Sequence, residues 1–309
     1  LKIDSLLRGP IGATLSAMYR SSMFNRCLVA PALPAQDRLT LRGRLLVREG
    51  NDYIVSGPDL ATELLDRGIP VANLHSGSKP EVAWGQIADA TCTEHLSRHI
   101  RACSEVGGRT LFCGSAGLAR AIAGTEPKGR TFLGPLLLVI GSHHLVSRGQ
   151  VSDLQASGIT AIIRHTPGED PLRTVSIIDA ALTEGRSIAL TFNFAETTDR
   201  LQAHLEIGTV LTALPELRRQ PSSLMIVGGE TLAQVVSQLC VERIIVNGEV
   251  RSGVPHSTLI GGVWHGMTLL SKSGAFGSPD LLQSMFAELK NRPGLQLHRP
   301  DRPRAAQNR

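Results

Sequence analysis

Glycines, hydroxyls and charges follow several apolar segments of this chain in combinations that suit anion binding. The sharpest is Val227-Gly-Gly-Glu-Thr231, where an apolar run ends in two glycines and a helical pattern follows at residues 232–239. Glycines let the backbone approach an anion closely, and a helix start offers N–H groups and a positive dipole end. Thr231 could cap that helix or contact a phosphate, and the spacing leaves both interpretations open. The segment is not a Walker A loop, because no Gly-Lys-Ser/Thr follows.

Two further loops have related chemistry. In Leu270-Ser-Lys-Ser-Gly-Ala-Phe-Gly277, Lys272 stands between two hydroxyls and Gly274 follows, so an ammonium and several N–H groups could face phosphates. The alternative is a solvent-exposed loop that closes the last strand. Gly141-Ser142 ends the apolar run 136–140, at the kind of strand end where open α/β sheets bind ligands. The adjacent His143 and His144 are interpreted as polar loop residues.

The N-terminal segment concentrates charge. Four polar or charged groups lie within seven positions, at the exit of a predicted strand: Lys2, Asp4, Ser5 and Arg8. A capped turn is the alternative interpretation. Arg38 follows a proline-rich loop. Arg8 and Arg38 could clamp a carboxylate bidentately, with Arg8 the stronger candidate, although each arginine alone also fits an ordinary surface position.

Four soft ligands, Cys92, His95, His99 and Cys103, are spaced to share one face of a helix. One straight helix cannot surround a tetrahedral ion with all four. We therefore expect a packed stripe on an amphipathic helix and no structural metal.

The glycine-containing loops and charged residues described above follow apolar segments of the chain, and these segments are continuously apolar rather than alternating. Such runs are typical of strands covered on both faces, and the helical segments between them imply parallel pairing. The sequence therefore predicts an α/β fold. The predicted strands are residues 27–31, 110–113, 136–140, 160–163, 187–192, 224–227 and 243–246.

Composition limits the class of protein. The chain has 309 residues, 42% of them hydrophobic and 19% charged, which excludes a disordered chain and suggests about two domains. Aromatic residues make up only 4%, which argues against stacking platforms for single-stranded nucleic acid. The longest apolar run, Leu136–Ile140, is too short to span a membrane. Five cysteines without CxxC spacing fit a reducing, cytoplasmic setting.

Glycine, proline and charge at residues 123–130 suggest a domain boundary, which gives domains 1–127 and 128–309. The net charge is +5, and part of the excess lies in arginines after residue 297. We interpret this basic C-terminal tail as a frayed terminus rather than a nucleic-acid arm.

Six motifs occur in one order along the chain: residues 2–13, 30–38, 114–119, 227–231, 253–255 and 271–277. Together they resemble the four-carbon acid sugar kinase family, which includes tetronate-type kinases. The resemblance extends from Lys2 to about Leu289.

This resemblance implies two three-layer α/β domains with mainly parallel sheets and a ligand cleft between them. It implies transfer of the γ-phosphoryl group of ATP, with Mg²⁺, to a hydroxyl of a tetronate or 3-oxo-tetronate, and it is compatible with a homodimer. The sugar acid would contact the first domain, at Lys2, Asp4, Ser5, Arg8 and Arg38. The nucleotide would contact the second, at Ser142, Gly228, Gly229, Glu230, Thr231, Lys272 and Gly274. No catalytic base is identified.

The chain also departs from the family pattern. It lacks the opening strand with an Asp-Asp-x-Thr-Gly-like loop, so we expect it to begin inside its first domain. Leu6, Pro10, Asp37 and Ala275 replace the usual Thr, Asn, Gly and Asn, and Gly141-Ser-His-His144 replaces Gly-Ser-Cys-Ser. The alternative function is therefore a truncated or degenerate member that binds nucleotide or sugar acid without turnover. A Rossmann-type oxidoreductase ranks last, because GxGxxG is absent.

Overall fold

The computed structural model describes residues 1–75, 82–124, 129–195 and 197–290. The chain divides into two compact units, Leu1–Pro127 (unit 1) and Lys128–Arg309 (unit 2). The basic tail and residues 125–128 of the predicted linker lie outside the described residues.

Unit 1 contains a four-stranded parallel sheet and a three-stranded antiparallel sheet. Its elements in chain order are α1 (Ile11–Arg20), β1 (Arg26–Ala30), β2 (Arg38–Leu41), β3 (Arg44–Glu49), β4 (Asp52–Val55), α2 (Leu60–Leu65), β5 (Val71–Leu74), β6 (Gly85–Ala88), α3 (Thr93–Glu105), β7 (Thr110–Gly114) and α4 (Ala116–Ala123). The parallel strands lie in the order β5-β6-β1-β7.

Helices cover both faces of this parallel sheet. On one face α1 and α2 pack against alternate strand residues such as Cys27 and Val29, and on the other α3 and α4 pack against Leu28 and Ala30. Continuous burial along β1 is why its sequence is continuously apolar. The α4 helix begins at a Ser115 cap that accepts the Gly117 N–H.

Unit 2 is built on a seven-stranded sheet with the order β12-β13-β14-β11-β8-β10-β9. Its elements in chain order are β8 (Leu136–Ile140), α5 (Leu145–Ser157), β9 (Ala161–His165), α6 (Pro171–Thr183), β10 (Ile188–Phe192), α7 (Arg200–Thr212), β11 (Ser223–Val227), α8 (Gly229–Gln238), β12 (Arg243–Arg251), β13 (Val254–Ile260), β14 (Thr268–Lys272) and α9 (Leu281–Lys290). The five strands from β14 to β9 run parallel, and β13 pairs antiparallel with both of its neighbours.

Two apolar cores enclose this sheet. One contains α6, α7 and α8 with Leu137 and Val139, and the other contains α5 and α9 with Leu136, Leu138 and Ile140. The α/β prediction and all seven predicted strands are confirmed. The three-stranded β2–β4 sheet and strands β5, β6, β13 and β14 are additions that the apolar runs did not indicate.

All five cysteines are free thiols. None of the helices in the described part of the chain is both long and apolar enough to cross a membrane.

Candidate functional site

Unit 2 has a topological switch point at the carboxyl ends of β8 and β11. These neighbouring strands lead into helices on opposite faces of the sheet, α5 into one core and α8 into the other. Diverging helices leave a crevice at the strand ends, which is where open α/β sheets bind ligands.

Three loops that sequence motifs singled out meet at this crevice: residues 141–142, 228–231 and 273–277, which we call the glycine loops. The Gly141 N–H donates to the Val227 carbonyl at 3.2 Å, and the Gly228 N–H donates to the Lys272 carbonyl at 3.0 Å. A methyl group on Gly274 would collide with the Ser142 side chain, so these two residues are in close contact. The structure therefore brings the predicted nucleotide residues of unit 2 together.

The α8 helix begins at Gly229, three residues before the helical pattern 232–239 that the sequence indicated. Thr231 is buried within the first turn, and no side chain caps the helix, so the capping interpretation of Thr231 is wrong. The N–H groups of Gly229, Glu230 and Thr231 have no hydrogen-bond partner within the described residues. Gly228 has a φ of +116°, a conformation that only glycine adopts readily. The turn therefore offers backbone donors at the positive end of a helix dipole.

Glu230 is engaged in an ion pair with Arg200, the first residue of α7. The Arg200 side chain is largely exposed beside the glycine loops. Sequence reasoning missed Arg200 because it lies in no glycine motif, and only the packing of α7 against α8 brings it to Glu230.

Lys272 is buried at the end of β14. Its side chain is only 4% exposed, and Nζ donates to the carbonyls of Ser273 at 2.9 Å and Phe276 at 2.8 Å. Burial lowers the pKa of Lys272 to about 8. The alternative of a solvent-exposed position is therefore wrong for Lys272, which ends a buried strand and holds the 273–277 loop by its carbonyls. Its contact with phosphates stays a prediction.

Two residues of α5 hold the same loop. Ser147 Oγ donates to the Gly274 carbonyl at 2.8 Å, and Gln150 Nε2 donates to the Phe276 and Ser278 carbonyls at 3.1 and 2.8 Å. Both side chains are fully buried. Sequence reasoning missed them because a serine and a glutamine inside a helix carry no local signal.

In unit 1, Asp4 and Arg8 form a bidentate ion pair. Arg8 Nε donates to Oδ1 at 3.1 Å and Nη2 to Oδ2 at 2.7 Å, while the Leu6 N–H also donates to Oδ1 at 2.7 Å. Partial burial raises the pKa of Asp4, but the hydrogen bonds from Arg8 and Leu6 outweigh it and hold that pKa below its usual value. Arg8 is itself 62% exposed, so the pair is accessible from solvent.

Arg38 lies beside this pair but in a different setting. It is 5% exposed, and its Nη1 donates to the Ser5 hydroxyl. Burial lowers the pKa of Arg38. The charge of Asp4 raises this pKa and the charge of Arg8 lowers it, so the three charged groups interact electrostatically. Lys2 is exposed at an isolated bridge to Gly114, next to the carboxyl end of β7. The structure thus brings Asp4, Ser5 and Arg8 together with Arg38, whereas the contact shown for Lys2 is with Gly114.

Three of the four cysteine and histidine residues, His95, His99 and Cys103, lie on α3, and Cys92 directly precedes it. His99 and Cys103 are buried, and His99 Nε2 hydrogen-bonds with the Asp89 carbonyl at 2.8 Å. Burial lowers the pKa of His99. Within the described ranges, no group of three or more His, Cys, Asp or Glu side chains is arranged to hold a metal ion.

The fold and the glycine loops define an α/β protein with a backbone-lined candidate anion site in one unit and a charged side-chain cluster in the other. Comparison with known proteins agrees with this class. The chain matches a sugar-binding N-terminal domain over residues 1–65 and a nucleotide-binding C-terminal domain over residues 137–282.

Curated relatives include the D-threonate kinase of Bordetella bronchiseptica, 27% identical over 91% of this chain and 75% of the relative. The D-threonate kinase of Salmonella typhimurium is 26% identical over 91% of this chain and 78% of its own. A solved Salmonella typhimurium LT2 protein shares the fold with a TM-score of 0.63 at 15% identity, covering 93% of this chain and 79% of that one. The chain belongs to the four-carbon acid sugar kinase family.

Proposed function

We propose that this protein is an ATP-dependent kinase that phosphorylates a four-carbon sugar acid, a tetronate or 3-oxo-tetronate. The observation that carries the proposal is the meeting of three glycine loops at the switch point of unit 2. The family membership and the D-threonate kinase relatives support the same activity.

Unit 2 would bind the nucleotide. Unpartnered N–H groups at the start of α8 and the close approach of Ser142 to Gly228 and Gly274 suit the phosphates of ATP. Phosphoryl transfer needs little covalent chemistry from the protein, because positioning of the reactants and stabilisation of the transition-state charge supply most of the catalysis. Backbone donors on rigid elements meet that requirement.

Unit 1 would bind the sugar acid. Arg38 and Arg8 are the cationic groups for its carboxylate, and Lys2 and Ser5 are donors for its hydroxyls. Asp4 holds Arg8 in a fixed geometry with two hydrogen bonds, so the guanidinium is oriented before an acid arrives.

Mg²⁺ would neutralise charge on the phosphates of the bound nucleotide. Such an ion takes most of its ligands from phosphate and water, with at most one or two protein carboxylates.

A coupled ADP-release assay over a panel of four-carbon acids, with ATP and Mg²⁺, tests the proposal. We expect turnover with one or a few tetronates and none with ATP alone. A five-carbon acid serves as the control for size. Saturable ATP binding by calorimetry with no turnover on any acid would instead support the alternative, a family member that binds without catalysis. Absence of both binding and turnover would contradict both.

A further inference from the structure

An aromatic array lies at the carboxyl ends of β8 and β10, next to the glycine loops. The rings of His143 and Phe194 have centroids 5.1 Å apart with planes inclined by 52°. Phe194 stacks in turn on Phe192, with centroids 5.9 Å apart and planes inclined by 7°. The two loops that carry these rings follow strands that are direct neighbours in the sheet.

The array is anchored at one end and accessible at the other. Phe192 is buried in the core formed by α6, α7 and α8, and Phe194 is half-buried against the same core. His143 is exposed. The buried Phe192 and half-buried Phe194 rings support the exposed His143 ring, which can then present its flat face at the edge of a site.

The position of the array relative to the glycine loops is specific. His143 directly follows Ser142, which contacts Gly228 and Gly274 on the β11 and β14 side of β8. Phe194 follows β10 on the opposite side of β8. An elongated ligand with its phosphates at the glycine loops would therefore continue along the strand ends toward these rings.

We propose that His143, oriented by its contact with Phe194, forms the platform on which the purine base of the nucleotide stacks. This inference rests on the proposed function, because it takes the glycine loops to hold the phosphates. Every nucleobase has a π-face, and stacking on an aromatic side chain needs no hydrogen-bond readout.

The protonation state of His143 suits this role. Although the side chain is exposed, neighbouring protein atoms displace part of its solvent and lower the pKa of His143, and the nearby Arg148 lowers it further. The ring is therefore neutral at pH 7, where a neutral imidazole presents an uncharged aromatic face to the base.

The test compares ATP with inorganic tripolyphosphate, which has the phosphates but no base. We expect His143→Ala and Phe194→Leu each to weaken ATP binding about 5- to 150-fold by calorimetry. Tripolyphosphate binding should stay within about twofold, and Phe194→Tyr should restore most of the ATP affinity. His204→Ala, at an exposed histidine of α7, is the matched control.

Equal ATP affinity in wild type and both variants would overturn the platform while leaving the kinase proposal intact. Equal losses for ATP and tripolyphosphate would also overturn it, because they would mean that the variants disturb the glycine loops. If the wild type binds neither compound, the nucleotide site fails as a whole, and the platform with it.

Discussion

The carboxyl ends of the two parallel sheets carry different kinds of candidate site. In unit 2 the groups that would face a ligand are backbone N–H groups and glycines, and the side chains of Lys272, Ser147 and Gln150 are turned toward loop carbonyls. In unit 1 the groups that would face a ligand are charged side chains, of which Arg8 is already paired with Asp4.

The two candidate sites differ in how far their binding groups are already in place before a ligand arrives. The N–H donors of the glycine loops are not part of an ion pair, so changes to the backbone there should have the largest effects. A carboxylate in unit 1 must share Arg8 with Asp4, whereas Arg38 is buried and held by Ser5. Unit 2 is therefore the more rigid anion site, and unit 1 the one whose affinity depends on individual side chains.

The largest expected effect comes from Gly228→Val. A β-branched residue at a φ of +116° is strained, and its bulk would meet the Ser142 side chain. We expect ATP affinity to fall at least ~100-fold by calorimetry, which corresponds to ~2.7 kcal/mol. Gly149→Ala, at an open helical position in α5, is the control and should leave ATP affinity unchanged. Wild-type ATP affinity in Gly228→Val would place the nucleotide elsewhere.

Arg38→Met should have the next largest effect, on the other ligand. Loss of a charge-assisted contact costs ~1.5–3 kcal/mol, so KM for the sugar acid should rise about 10- to 150-fold with a smaller change in kcat. The burial of Arg38 reverses the order that the sequence suggested, and we expect a smaller effect from Arg8→Met. ATP affinity should stay within about twofold in both variants. A rise in KM for ATP that exceeds the rise for the acid would reverse the assignment of ligands to units.

Lys272→Met tests whether this residue acts through the 273–277 loop. Removing Nζ leaves two carbonyls without their donor, so the loop should loosen and ATP affinity should fall about 5- to 20-fold. Arg173→Met, an exposed site on α6 with the same change in charge, should have no effect. If both variants weaken ATP equally, net charge rather than loop position would explain the result.

A separate effect, on the stability of the fold rather than on ligand affinity, is a pH dependence of unfolding. Since burial lowers the pKa of Lys272 from 10.5 to about 8, the unfolded state binds more protons than the folded state between those values. The contribution of Lys272 to the free energy of unfolding should therefore rise with pH in this window, by up to ~1.4 kcal/mol per pH unit. Denaturant unfolding of wild type and Lys272→Met at pH 7, 8, 9 and 10 measures it. A difference that is constant with pH would contradict the burial of an ionisable amine.

Sequence patterns predicted buried central strands in both units. The central strands of both units are covered on both faces, and their continuous apolar runs were visible for that reason. The β2–β4 sheet was missed because its strands are short and β4 is exposed along its whole length, which removes any apolar pattern.

The candidate site was predictable where its chemistry is local. Glycine turns after strands indicated Gly228 and Gly274, but the burial of the Lys272 side chain was not anticipated. A signal was present: Lys272 lies two residues after the buried Leu270, so both side chains share one face of β14. Arg200 and Gln150 could not be predicted, because only tertiary packing brings them to the glycine loops.

Hydrogen exchange measured by mass spectrometry tests the central claim most directly, because it reports both units of the wild-type chain at once. A non-hydrolysable ATP analogue should protect peptides that contain residues 141–142, 228–231 and 273–277, with a smaller change at residues 2–8. The tetronate identified by the ADP-release assay should give its largest protection at residues 2–8 and 38–41 instead. Nucleotide protection concentrated at residues 2–8, with none at the glycine loops, would contradict the assignment of the nucleotide to unit 2.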